Sequence, residues 1–416
     1  VWQILRSNIR IADLVVGDME AQVAAARIGA ERYSALLDQY GLDTVTGAYE
    51  DLLDYSENLM RDAIAHIPDG RYNARTFIDG YVDSPDPALK DLPIEVTLTI
   101  SGSDIHVDLT GTAPQTPNKP INMPLVGTVD CAVWLTLRSI LLDSDVYGAI
   151  PQNSGLTRPI TIHAPQGCLA NPTFPAPVIA RFCPGNAVAD TVMKAIAPAV
   201  PKQVSAGIGN LRVMAFSGVT NNAPWVHMEI MEGAYGGRYG KDGMDAVDTL
   251  YANTRNNPIE DIESHLPLRV LNYELRENVA GPGASRGGIG SIRSFELLED
   301  GAVSIEGDGQ RFDPWGFLGG ADGSPAKVEL VQARGATVEL PSKLPYRHLS
   351  KGDRITAYGP CGGGYGDPLE REPQAVLDDV LDGLIDAASA RADYGVVVDG
   401  QGVDKAATRA LRAGRT

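Results

Sequence analysis

The sequence predicts an α+β protein, in which an N-terminal helical hairpin is followed by a mixed, loop-rich β-sheet region with interspersed helices. Three observations predict it. Apolar residues recur at helical spacing through residues 1–70, they alternate in period two around residues 94–109, and 45 glycines and 28 prolines in 416 residues imply many tight turns.

Met19, Val23, Ala26, Ala30, Tyr33, Leu37 and Tyr40 are spaced by fours and threes, which sets them along one face of a helix over 17–40. Gly41 is placed to end it. A second helix over 45–67 carries Tyr49, Leu52, Leu59 and Ala63 on its apolar side and stops at Pro68-Asp69-Gly70. The two read as an antiparallel hairpin. A coiled-coil dimer is the rival reading, but the seam lasts only about three heptads before the chain turns back. Residues 71–416 form the α+β body, with no clean boundary inside it.

Ile94, Val96, Leu98 and Ile100 alternate with polar residues, Ser101-Gly102-Ser103-Asp104 turns, and Ile105, Val107 and Leu109 alternate again. This is a β-hairpin with one solvated face, on which His106 is a surface residue. Residues 127–142 read as a buried helix, with Cys131 as a small core side chain. The proline-rich stretch 151–177 is an ordered loop, because apolar residues interleave its prolines. A helix at 185–199 leads into strands at 211–218 and 225–231. The glycine-rich stretch 233–243 packs closely on itself or on a ligand. Asn257-Pro258-Ile259-Glu260 has the form of a helix start, with Asn257 capping, Pro258 in the first turn and Glu260 reaching back. Strands fill most of 268–357, and helices return over 373–390 and 403–412.

A net charge of −18 argues against nucleic acid or an anionic membrane as partner. The longest apolar stretches, such as 132–142 with Arg138 inside it, are too short to span a bilayer. Four cysteines without a C-x-x-C pair are too few for a disulfide scaffold and do not form a zinc ribbon. No leader pattern is visible, so a cytoplasmic location is the default.

The motif inventory is mostly negative. No G-x-S-x-G elbow occurs, and the six histidines stand singly, without H-x-x-x-H or H-E-x-x-H spacing. His227 and Glu229 would share one face of a strand. The glycine runs at 281–288 and 362–367 lack a Walker lysine and do not sit cleanly between strand and helix, so ATP binding by this chain is disfavoured. A backbone anion nest or simple tight turns remain for them. Glu260 and Glu263 lie one helical turn apart beside Arg255-Asn256-Asn257. A guanidinium fork and an amide beside a carboxylate at a helix start make Arg255 and Asn256 candidate substrate-binding residues and Glu263 the candidate catalytic residue. The plain alternative gives Glu260 to the helix cap and Glu263 to a surface salt bridge.

The order of the motifs is more specific than any one of them. Asn8-Ile9-Arg10 and Gly17-Asp18-Met19-Glu20 are followed by Val107-Asp108-Leu109-Thr110-Gly111-Thr112-Ala113-Pro114. Then come Pro151-Gln152-Asn153-Ser154-Gly155, Asn171-Pro172, and Asn256-Asn257-Pro258-Ile259-Glu260 with Glu263. Gly281-Pro282-Gly283 with Arg286-Gly287-Gly288 leads to Gly362-Gly363-Gly364-Tyr365-Gly366-Asp367-Pro368 and Tyr394-Gly395-Val396-Val397. In this order, across essentially the whole chain, the sequence resembles the hydantoinase B/5-oxoprolinase family. Cys361 departs from it, standing where the family usually carries another glycine.

The resemblance implies a two-part mechanism. A hydantoinase A-type ATPase partner uses ATP to phosphorylate a carbonyl oxygen, and the B-type protein completes the opening of a small cyclic amide such as a hydantoin or 5-oxoproline, within a hetero-oligomer. The related ketone carboxylases imply an alternative, attack of an enolate on activated bicarbonate. A partner-binding assembly fragment is the non-enzymatic alternative. The family also implies a divalent metal. Its ligand-like segments, N-D-P-Y-x-G-G-T-H and H-x-x-D-x-G-G, belong upstream of Asn8-Ile9-Arg10 and occur nowhere here, so no metal ligand is expected in this sequence. A start at Val1-Trp2 further leads to the expectation of an N-terminally truncated chain that is inactive alone.

Overall fold

A computed structural model describes residues 1–9, 11–400 and 402–415. Arg10 of the Asn8-Ile9-Arg10 motif lies outside the described residues. The chain opens with α1 (Trp2–Asn8), α2 (Ala12–Tyr40) and α3 (Leu42–Ala65). Gly41 alone joins α2 to α3, at φ 79°, a conformation that costs other residues a steric penalty. Tyr33 and Tyr49 stack across the hairpin with ring centroids 6.3 Å apart. The face predicted apolar on α2 is not a buried one: Val23, Tyr33 and Tyr40 are exposed. It is α3 that enters the body, burying Met60, Ala63 and Ile64. Helical spacing sets which residues share a face but not which helix is covered.

β1 (Gly70–Gly80), β2 (Lys90–Ser101), β3 (Asp104–Asp108), α4 (Asp130–Leu141), α5 (Ser144–Tyr147), β4 (Ile160–His163) and α6 (Phe182–Ile196) build the first layer. The sheet order is β1-β2-β3-β4, antiparallel except for the β3–β4 pair. The predicted hairpin forms in the expected register, with Ile100 opposite Ile105. Ile94, Val96 and Leu98 alternate into a core that they share with Met60, Val133 and Val192 of the covering helices. Cys131 is only half-buried, on the rim of that core.

Next come β5 (Arg212–Thr220), β6 (Ala223–Met231), α7 (Ile259–His265), β7 (Leu268–Leu275), β8 (Ser291–Leu297), β9 (Gly301–Gly307), β10 (Lys327–Val331), β11 (Thr337–Glu339), β12 (Lys343–Leu349) and β13 (Arg354–Tyr358). They form two sheets, β12-β9-β5-β6 and β11-β10-β13-β8-β7. Inward residues of both sheets, Met214, Phe216, Phe295, Val303, Leu330 and Ile355 among them, make a single core, as in a β-sandwich. Phe216 and Phe295 meet across it at 5.3 Å.

The C-terminal segment holds α8 (Pro373–Leu381), α9 (Ala387–Tyr394), the short pair β14 (Val398–Asp399) and β15 (Gly402–Val403), and α10 (Lys405–Ala413). The single helix expected over 373–390 is broken in two, because Gly383 takes φ 75° after α8 and Asp386 caps α9 by accepting from the Ser389 N–H.

The glycine surplus has a specific use. Loops from both layers meet backbone to backbone: Gly237 N–H donates to Gly363 O (2.8 Å), Gly363 N–H to Gly207 O (3.0 Å), Gly362 N–H to Gly288 O (2.9 Å) and Gly281 N–H to Gly362 O (3.1 Å). A β-carbon at Gly287 would stand 1.8 Å from Gly362 O. The expected close packing of 233–243 is therefore against other glycine loops.

Candidate active site

The three residues singled out by sequence do not converge on one point. Arg255 is exposed and makes no hydrogen bond or ion pair among the described residues. Asn256 is anchored on both sides, its Oδ1 accepting from Arg293 Nη2 (2.5 Å) and its Nδ2 donating to the Tyr273 hydroxyl. Glu263 is an exposed residue of α7 whose Oε1 accepts from the Val270 N–H at 2.8 Å. That N–H belongs to a stretch of β7 whose register with β8 shifts between Val270 and Asn272. Glu263→Ala is thus expected to lower stability by about 1 kcal/mol, while Glu263→Gln, whose amide oxygen still accepts, retains it. Thermal unfolding of both variants checks this.

The capping box expected at the start of α7 does not form. Pro258 itself occupies the cap position with extended ψ, and no side chain caps the helix. Asn257 lies one residue too early and donates instead to Asp261 Oδ2 at 3.2 Å, while Glu260 is exposed.

Asn256 leads into a polar quartet within the sandwich. β6 turns Trp225, His227, Glu229 and Met231 to its buried face, so His227 and Glu229 do share a face. His227 Nε2 lies 2.7 Å from Glu229 Oε2. On β8, Arg293 occupies an inward position alongside Phe295 and donates to Glu229 Oε1 at 2.6 Å. Its guanidinium carbon lies 4.0 Å from the Tyr273 ring centroid, and Nη2 lies 3.6 Å from Glu232 Oε2. Burial pushes the Glu232 carboxyl above the ordinary carboxylate range, and Arg293 offsets this only in part. The quartet is a closed, charge-balanced anchor that holds Asn256, and through it the 256–257 loop, in place.

A second buried network grips the glycine loops. Arg286 binds Asp245 through both Nη atoms (2.8 and 3.1 Å), Arg371 binds Asp242 likewise (2.6 and 2.8 Å), and Asp379 bridges the two guanidiniums. With the Arg286 guanidinium satisfied in this way, the run at 281–288 is a structural clasp. Cys361 Sγ accepts from the Gly290 N–H at 3.2 Å and is fully buried, which raises its thiol pKa and makes it a poor nucleophile.

Beside α6 lies a cavity of about 240 Å³, between that helix and the 308–315 loop. Asp190 accepts there from Trp315 Nε1 (3.0 and 3.1 Å) and from the Ile208 N–H (3.2 Å), and burial pushes its carboxyl up to about 6. Asp308, paired with Lys343 at 2.8 Å, is likewise raised by burial to about 6. Sequence spacing offered no sign of this pairing, since Asp190 and Asp308 lie more than a hundred residues apart.

Among the described residues, no group of three or more His, Cys, Asp or Glu is placed to hold a metal ion. His227, the best local pair in the sequence, has its Nε2 engaged by Glu229, which Arg293 engages in turn. The residues present do not fit the divalent metal that the resemblance implies, and no step is derived through it. No helix of the described residues is long and apolar enough to cross a membrane.

Residues 1–368 match the family model Hydantoinase B/oxoprolinase. The chain belongs to this family. The B component of a D-/L-hydantoinase from Pseudomonas sp. (strain NS671), so named, is 63% identical over 414 residues, which cover 99% of this chain and 70% of that one. The ATP-dependent caprolactamase from Pseudomonas jessenii superposes with a TM-score of 0.87 at 28% identity, covering 99% of this chain and 71% of its own. Acetone carboxylase in its nucleotide-free structure also gives a TM-score of 0.87, at 19% identity and over 61% of that chain, a likeness of fold. The α+β architecture read from the sequence is thus that of the hydantoinase B/oxoprolinase family.

Proposed function

We propose that this chain is one component of an ATP-dependent cyclic-amide hydrolase that opens a ring such as a hydantoin or 5-oxoproline. Its partner is a hydantoinase A-type ATPase, joined with it in a hetero-oligomer in the cytoplasm, where ATP is supplied. The observation that carries this reading is the 63% identity, along 99% of the chain, to the B component of a hydantoinase. The ATP-dependence of the structurally similar caprolactamase supports it.

The chemistry explains the division of labour. An amide carbonyl is a poor electrophile, and transfer of the γ-phosphoryl group of ATP to its oxygen makes that oxygen a leaving group. In the net reaction one ring C–N bond breaks and ATP becomes ADP and phosphate. Two waters are consumed, one across the amide and one across the phosphoanhydride. This chain has no Walker lysine, and the Arg286 guanidinium of its glycine run is already bound by carboxylates, so the nucleotide falls to the partner. Arg255, with a guanidinium free to take a carboxylate or phosphate, and the anchored Asn256 are the substrate-binding residues of this proposal, and Glu263 its catalytic carboxylate.

The shared fold with acetone carboxylase favours a second reading, a component of a ketone carboxylase. The test is to co-express the chain with an A-type ATPase and supply ATP with hydantoin, 5-oxoproline or a lactam, with and without bicarbonate. Ring opening that needs both proteins and ignores bicarbonate supports the hydrolase. Turnover only of a ketone, and only with bicarbonate, replaces it with the carboxylase.

A further inference from the structure

We infer that the cavity beside α6 is the pocket that receives the ring amide of the substrate. This rests on the hydrolase reading and adds a place and a recognition chemistry to it.

Two carboxamides that line the cavity are fixed in orientation by the protein and left half-satisfied. Asn186 Oδ1 accepts from the Tyr251 N–H (2.9 Å) and the Thr249 hydroxyl (3.4 Å), which identifies the other atom as Nδ2, a donor with no partner. Asn210 Nδ2 donates to Cys183 O (2.8 Å), which leaves its Oδ1 as an acceptor with no partner. A third lining residue, Asp308, has an unpartnered Oδ2. Asn186 and Asp308 are 1% and 2% exposed, so water does not freely satisfy them. A buried polar atom without a partner costs about 1–3 kcal/mol, and three around one cavity are what a ligand site leaves unpaired when empty.

The pattern selects the ligand. One donor, one acceptor and one carboxylate oxygen match a molecule that offers a carbonyl and one or two N–H groups along a single edge. A ring amide or cyclic ureide does this because the ring holds its amide cis. An open-chain trans amide points the two groups in opposite directions. The apolar wall suits a flat ring, since the Phe77 and Phe312 rings stack there at 5.2 Å and Trp315 stands beside them. A volume of about 240 Å³ lies just below the range of drug-sized sites, roughly 300–1,000 Å³, and favours a compact ligand. Lys194 lines the same cavity with no carboxylate within salt-bridge distance among the described residues, and its ammonium lies 5.5 Å from the Trp315 ring centroid. It is placed to meet an acidic ring substituent.

Titration calorimetry of the intact chain with hydantoin, without ATP or partner, tests the assignment. Hydantoin is expected to bind saturably. Ala187→Leu fills the cavity without removing a hydrogen bond, and Asn186→Asp keeps the acceptor for Tyr251 while replacing the donor. Each is expected to weaken binding at least tenfold. Should Asn186→Asp unfold, Ala187→Leu decides alone. Undiminished affinity in Ala187→Leu overturns the assignment, as does a wild-type chain that does not bind hydantoin while the two-protein complex opens it. In that last case the hydrolase reading stands and only the pocket falls.

Discussion

Gly287→Ala is expected to abolish cooperative folding of the chain. The added carbon would stand 1.8 Å from Gly362 O and 2.5 Å from its carbonyl carbon, with Gly363 O at 3.0 Å. All three are backbone atoms, so no rotamer change relieves the overlap and the loops themselves must separate. Separation breaks the contact between Gly281 N–H and Gly362 O and that between Gly362 N–H and Gly288 O. It also pulls on Arg286, the neighbouring residue that ties these loops to Asp245 and Asp379. Overpacking in a well-filled interior costs about 1–3 kcal/mol when side chains can adjust, and more where only backbone can move. Against a total stability of about 5–15 kcal/mol, the loss takes a large share. Near-ultraviolet circular dichroism and a thermal scan should show lost tertiary signal or a melting point lowered by many degrees. As a control, Gly240→Ala, where a β-carbon meets nothing within 4 Å and the only penalty is its positive φ of 68°, should be far milder.

Arg293→Met should be the most damaging single change among the ionisable residues. The guanidinium is 3% exposed and is the counter-charge for Glu229, itself 3% exposed, and Glu232, 5% exposed. Methionine keeps most of the volume and the contact with Tyr273 but strands both carboxylates. Breaking a buried pair from one side costs about 3–5 kcal/mol, because the remaining charge is left uncompensated. The Asn256 anchor is lost as well, since its Oδ1 accepts from Arg293. Without the cation the two carboxyls bind protons more readily in the folded chain than in the unfolded one. Stability of the variant should therefore fall as pH rises and recover partly toward pH 5. Urea unfolding of wild type and variant at pH 5 and pH 8 measures both effects.

These two residues also show how far the sequence can be read. Local order was legible: Gly41 stops a helix, the 94–109 alternation forms its hairpin, and His227 shares a strand face with Glu229. The fate of a face was not. The apolar stripe of α2 has the same spacing whether it is buried or exposed, and the structure leaves it exposed. A proline one position away from its expected role moved the α7 cap and left Glu260 without one. Arg293 did carry a signal, since a charged residue recurs on the inward period of Ser291, Phe295 and Leu297, where only a buried partner can hold it. Its partners come from β6 and from the loop before α7, and no spacing rule joins those segments. The same holds for the cavity beside α6, whose Asp190 and Asp308 are brought together only by the packing of a helix against a loop of the sandwich.

The most direct measurement is the ratio of ADP released to rings opened by this chain paired with an A-type ATPase and given ATP and hydantoin. A hydrolase of this design releases one ADP for each ring opened and opens none when ATP or this chain is withheld. ADP release with the ring intact, or bicarbonate carbon in the product, would contradict it.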